Sequence, residues 1–106
     1  MWLLENDAPE PVESVVRDDL LRLVFTCCHP SLSLEAQVSL SLRTLGGLST
    51  GDVARALMVP EATMAKRLTR AKQKIRQARI PYRVPSDDEL PSRLAGVLST
   101  VDRISE

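Results

Sequence analysis

The chain has 106 residues, balances 14 lysines and arginines against 14 aspartates and glutamates, and is 43% hydrophobic, the make-up of one globular domain with or without tails. Only Trp2, Phe25 and Tyr82 are aromatic, which argues against recognition of single strands by base stacking, and no apolar run approaches the ~18 residues of a membrane span. The opening "MWLL" is too short and too soon followed by acids for a signal peptide, so a cytoplasmic location with no membrane partner is expected.

Residues 1–17 carry prolines and acids without a sustained period and read as a leader or interdomain linker. From Asp18 the pattern changes. Leu21, Val24, Phe25 and Cys28 recur at i, i+3, i+4 and i+7, the stripe of a helix, with Asp18 and Asp19 at its positive N-terminus and Pro30 stopping it. Ser33, with Glu35 in the first turn, starts a second helix bearing Leu34, Val38, Leu42 and Leu45, and Gly46-Gly47 closes it. Ser49 and Asp52 form a variant capping box ahead of a short third helix with Val53, Ala54, Ala56 and Leu57. Pro60 is expected to end that helix and to sit in the first turn of the next. The fourth helix buries Met64, Leu68, Ala71 and Ile75 and turns Ala62, Thr63, Lys66, Thr69, Arg70 and Gln73 outwards, until Pro81 ends it. A last segment begins at Ser86, before Asp87, Asp88 and Glu89. Its stripe of Leu94, Val97, Leu98 and Val101 is expected to pack on the bundle, the alternative being a docking surface. The class is all-α, a small helical bundle with 18–80 as its domain and 81–106 as the start of a C-terminal extension.

Charge is the strongest signal. Between residues 62 and 86 lie eight basic residues (Lys66, Arg67, Arg70, Lys72, Lys74, Arg76, Arg79 and Arg83) and no acid. An exposed helix face normally mixes both signs to gain i,i+4 pairs. A short helix, a tight turn and a longer basic helix make a helix-turn-helix, in which small or apolar props (Val53, Ala54, Leu57 and Val59 against Met64 and Leu68) present the second helix to a DNA major groove. Thr63, Lys66, Thr69 and Arg70 offer hydrogen bonders and methyls, and Ala62 and Ala65 leave room for close approach. Arg67, Lys72, Lys74 and Arg76 are placed for phosphates.

The segment "LSTGDVARALMVPEATMAKRLTRAKQKIR" resembles region 4 of bacterial sigma factors of the extracytoplasmic-function type, through Leu48-Ser49, Asp52, Val53-Ala54, Val59-Pro60, Thr63 and Arg70-Ala71-Lys72. The flanking "DDLLRLVFTCCHPSLS" and "IPYRVPSDDELPSRLAGVL" resemble one subgroup with a long C-terminal extension. The resemblance implies a module that reads the promoter minus-35 element in double-stranded DNA while docked on the β flap of core RNA polymerase. An anti-sigma factor or the chain's own extension is a further partner. By position, Ala65, Lys66, Thr69 and Arg70 would read bases, with Thr63 and Arg67 near the backbone. Alanine stands at 62 where the family usually has glycine, and Ala65 and Lys66 replace its usual basic and serine residues, so the promoter sequence does not transfer. Region 2 would lie before Met1, which makes the chain a fragment able to bind but not to initiate.

Other sites carry less. Adjacent Cys27 and Cys28 exclude a disulfide framework, and one is expected to face the core and the other its edge. With His29 the only histidine, a zinc site lacks ligands, and a redox-sensing thiol would need a lowered pKa. No nucleophile–base motif is present and "TLGGLST" lacks the ending of a phosphate loop, so neither catalysis nor a cofactor is expected. Two rival classes stay open: a helical interaction module whose basic face binds an acidic protein, and a helix-turn-helix regulator of another family.

Overall fold

Helix α1 spans Pro11–Cys27 in a computed structural model that describes residues 11–105. It begins well before Asp18, because proline's fixed φ and missing N–H suit a first helical turn. Residues 1–10 of the expected leader lie outside the described residues. Asp18 and Asp19 consequently sit mid-helix, not at its N-terminus, and Asp19 accepts from Arg22 at 3.0 Å. Val15, Val16, Leu20 and Leu21 are exposed, so of the expected stripe Phe25 and Cys28 are buried, Val24 half-buried and Leu21 outside the core.

Both cysteines are buried, against the expectation that one would reach the edge. Cys27 ends α1 inside the main apolar cluster, whereas Cys28 belongs to the closing turn, its Sγ 3.9 Å from the Ser41 hydroxyl. A helical wheel does not apply past a helix end. Burial, and then the neighbouring Cys28, pushes the Cys27 thiol up to about 11, the opposite of a redox sensor.

Helix α2 (Leu34–Leu40) starts where the sequence says. The Ser33 hydroxyl accepts from the Ala36 N–H at 3.1 Å, satisfying an orphan donor of the first turn. It runs on as a π-helical turn over Ser41–Leu45, closed by Gly46 N–H to the Ser41 carbonyl at 3.0 Å. Gly46 is required sterically: a Cβ there would lie 2.7 Å from the Leu42 carbonyl oxygen. Gly47 follows at φ +69°, the left-handed conformation that glycine adopts without strain.

Helix α3 (Thr50–Ala56) is capped by Ser49, whose hydroxyl accepts from the Asp52 N–H at 3.1 Å. The Arg55 guanidinium, then Ser49, holds the Asp52 carboxyl below its ordinary range. Ala56, expected among the packed residues, is exposed. Pro60 does not end this helix. Met58, at φ 57° and 91% exposed, turns the chain first, and the Val59 N–H returns to the Ala54 carbonyl at 3.0 Å. Pro60 is the N-cap of α4 (Glu61–Gln77) and lies outside its first turn. The same device stops α4 before Pro81: Arg79 takes φ 52° and the Ile80 N–H bonds to the Ile75 carbonyl at 3.0 Å.

Val53, Ala54, Met64, Leu68 and Ala71 form one core cluster with Cys27, Leu32, Leu40 and Ile80, and Leu57, Val59 and Ile75 pack against it. The chain then runs back along α1. The Thr26 hydroxyl donates to the Pro81 carbonyl at 3.1 Å and the Tyr82 hydroxyl to the Asp19 carbonyl at 3.0 Å.

Helix α5 (Leu90–Ser105) reverses the expected orientation. Leu94, Leu98 and Val101 are exposed, Leu98 by 62%, and Val97 is only half-buried. The docking face is Arg93, Gly96, Val97 and Thr100, because polar anchors fix the rotation. Thr100, 1% exposed, donates to Gln37 Oε1 at 2.7 Å, while Gln37 Nε2 donates to the carbonyls of His29 at 3.1 Å and Leu32 at 2.9 Å. Arg93 donates to the Phe25 carbonyl at 2.7 Å, with its guanidinium carbon 5.8 Å from that ring's centroid. A buried polar pair left apart costs more than a half-exposed leucine, so the hydrogen bonds decide. Among the described residues the fold is all-helical, without strands, and no helix is long and apolar enough to cross a membrane.

Candidate nucleic-acid interface

The site is built on α4. Burial of Met64, Leu68 and Ala71 fixes the helix's rotation, and α3 props it through Val53 and Ala54. At about 100° per residue, Lys66 and Gln73 then lie within ~10° of the direction pointing straight out, with Ala62 and Gln77 within ~30°. Thr69 and Arg70 stand ~50° to either side of that crest. Beyond Arg70 come Thr63, Lys74 and Arg67; beyond Thr69 come Arg76, Ala65 and Lys72.

This divides the candidate residues into a crest and two flanks. Lys66, Thr69 and Arg70 are exposed at or beside the crest, where a helix laid in a groove meets base edges. Ala65 is exposed on a flank at ~90°. Lys72 and Arg76 lie on that flank, and Thr63 and Lys74 on the opposite one, all exposed and directed sideways, towards where groove walls would carry phosphates. Gln73 was not among the site residues expected from sequence, although its wheel position was legible. Its amide is suited to adenine, but it lies about 10 Å further along the helix than Lys66.

Arg67 differs from the rest. Its side chain is 26% exposed and its guanidinium lies 4.0 Å from Glu35 Oε2 on α2. Beyond Glu61 in its first turn the helix has no counter-acid of its own, but tertiary structure supplies this one. Arg83, off the helix, pairs with Glu89 at 3.7 Å. Lys66, Arg70, Lys72, Lys74 and Arg76 have no ion pair among the described residues. Five unneutralised cations along one helix build a positive surface that a polyanion would satisfy.

The "CCHP" segment does not assemble a site. His29 Nδ1 accepts from the Ser31 N–H at 3.0 Å, and burial, then Arg93, pulls the imidazole's pKa below its ordinary value. Among the described residues no group of three or more histidines, cysteines and acids is arranged to hold a metal ion.

A short prop helix, a four-residue turn and a longer helix with a cationic outer face define a helix-turn-helix domain. The family model for sigma-70, region 4 matches residues 22–75, half of the chain. The chain belongs to the sigma-70 region 4 family, whose domain binds the minus-35 promoter element in sigma factors and is a DNA-binding unit, not a catalytic one. A relative from Rhizobium meliloti (strain 1021), an uncharacterised protein, is 44% identical over 85 residues, which is 80% of this chain and 20% of the relative. The chain thus spans about a fifth of the length of the curated relative it matches. No solved structure matches it.

Proposed function

We propose that the chain is the promoter-reading part of a sigma factor of the extracytoplasmic-function type. It binds the minus-35 element in double-stranded DNA while docked on the β flap of RNA polymerase in the cytoplasm. The observation that carries this reading is the outer face of α4, where Lys66, Arg70, Lys72, Lys74 and Arg76 stand without ion pairs among the described residues. In the proposed complex Lys66, Thr69 and Arg70 read bases, with Ala65 leaving room at the groove edge. Thr63, Lys72, Lys74 and Arg76 hold phosphates, as does Arg67 once released from Glu35. Residues 18–80 are the reading domain and 81–106 begin a C-terminal extension, which rests on the resemblance of the flanking segments. The exposed Leu94, Leu98 and Val101 suit a protein partner, either an anti-sigma factor or more of the same polypeptide.

Fluorescence anisotropy against a pool of random duplexes, followed by selection and a salt titration, tests the reading. Enrichment of a short motif, with affinity falling steeply as salt rises, is the expected result. Salt-sensitive but motif-blind binding would mean that polymerase must position the reading face. No binding even at low salt would transfer the assignment to a module for acidic proteins.

A further inference from the structure

The groove between the start of α2 and the flank of α4 has a volume of about 550 Å³ and is lined by Lys66, Arg67, Arg70 and Lys74 on one wall and by Ser33 and Glu35 on the other. Four cations face a single carboxylate. Glu35 does not cap α2, since the first-turn bond is made by Ser33, and its side chain is 69% exposed. Its one ion pair among the described residues is the long contact with Arg67 at 4.0 Å. A pair so open to water adds little to folding stability, yet its placement matters for any anion entering the groove.

We infer that Glu35 is an attenuator of nucleic-acid binding. It occupies Arg67 in the free protein and must surrender it when a backbone phosphate of duplex DNA enters the α2–α4 groove. The inference rests on the DNA-binding reading and adds which strand wall is contacted and what competes for it. Three features support it. Among the described residues Arg67 is the one cation of α4 that is paired across the fold. Lys66, Arg70 and Lys74 share its groove at helical spacing, so a phosphate drawn in by them arrives beside the Glu35 carboxylate. Two anions competing for one guanidinium in high dielectric exchange readily, which makes the device a graded brake on affinity instead of a lock.

The consequence is independent of base sequence, because only phosphates are involved. Binding of the full chain to a random-sequence duplex, followed by anisotropy at low and at moderate salt, therefore suffices. Glu35→Gln should bind about three- to tenfold more tightly at low salt, with the advantage shrinking as salt screens the competing charge. In an Arg67→Gln background the Glu35→Gln gain should fall to less than half, as coupled partners require. Circular dichroism melts confirm that each variant is folded. If wild type binds and Glu35→Gln does not exceed it by twofold, or the full gain persists with Arg67→Gln, the attenuator is wrong while DNA binding stands. If neither wild type nor variant binds at low salt, the DNA reading itself fails, and the inference with it.

Discussion

Arg70 stands beside the crest of α4, one turn beyond Lys66, where in the proposed complex it would reach both the base edges and the groove wall. Its guanidinium has no ion pair among the described residues, so nothing in the fold needs its charge. A base-reading arginine makes a bidentate contact with guanine O6 and N7 that alanine cannot replace. Arg70→Ala should weaken binding to the selected duplex by about 1–3 kcal/mol and relax preference at one position, leaving the melting temperature unchanged. Equal losses on selected and scrambled duplexes would assign it to the phosphates. Cys27 illustrates the opposite kind of residue, one the fold holds and the surface never meets. Its thiol is pushed from an ordinary 9.0 up to about 11, so the folded state keeps a proton that the unfolded chain gives up first. Stability attributable to this group is complete below pH 9 and declines as pH rises towards 11. Urea titrations across that range should show the decline, and Cys27→Ala, less stable throughout, should show a flatter one. The same burial should keep Cys27 unlabelled by a thiol reagent at neutral pH until the chain unfolds.

At the scale of elements, α5 separates what periodicity can say from what it cannot. Thr100 and Gln37 are 63 residues apart and share a buried hydrogen bond of 2.7 Å. Thr100→Val keeps the shape but leaves Gln37 Oε1 without its donor, which should cost about 1–3 kcal/mol in urea denaturation. Leu98→Gln, on the exposed face, should cost less than about 0.5 kcal/mol; a larger loss would mean that the stripe is covered in the folded chain. The starts of α2 and α3 were legible because Ser33 and Ser49 act on N–H groups three residues away, as was the Met64, Leu68 and Ala71 seam, whose spacing is local. The rotation of α5 was not, since an apolar stripe suggests a buried face and only the tertiary positions of Gln37 and the Phe25 carbonyl reveal otherwise. The ends of α3 and α4 were misplaced for a related reason. Prolines mark where a helix must have stopped, but Met58 and Arg79, residue types that seldom take positive φ, stop these two earlier. In the site, the cationic crest was legible from charge and wheel alone. The Glu35–Arg67 pair was not, because its two residues lie on different helices.

For the whole molecule, a zero formal net charge conceals a segregation that decides how it meets other molecules. Five cations without an ion pair among the described residues lie along α4, whose one acid is Glu61 at its start, whereas Asp18 and Asp19 lie on α1 and Asp87, Asp88 and Glu89 in the turn before α5. A neutral chain gains no general attraction to DNA, so its affinity must come from the one face that concentrates positive charge. Each phosphate neutralised there releases condensed counterions, and the slope of log affinity against log salt counts them. With about five cations of α4 engaged, the slope should be about −4 to −5, a loss of ~10²–10³ in affinity between about 50 and 200 mM salt. Lys72→Gln should reduce the slope by about one and weaken selected and scrambled duplexes alike, because in the proposed complex it would face a groove wall and read no base. A slope near −1 for the wild-type chain would mean that the face touches the duplex at one point only, and that the segregated charge serves a smaller anionic surface.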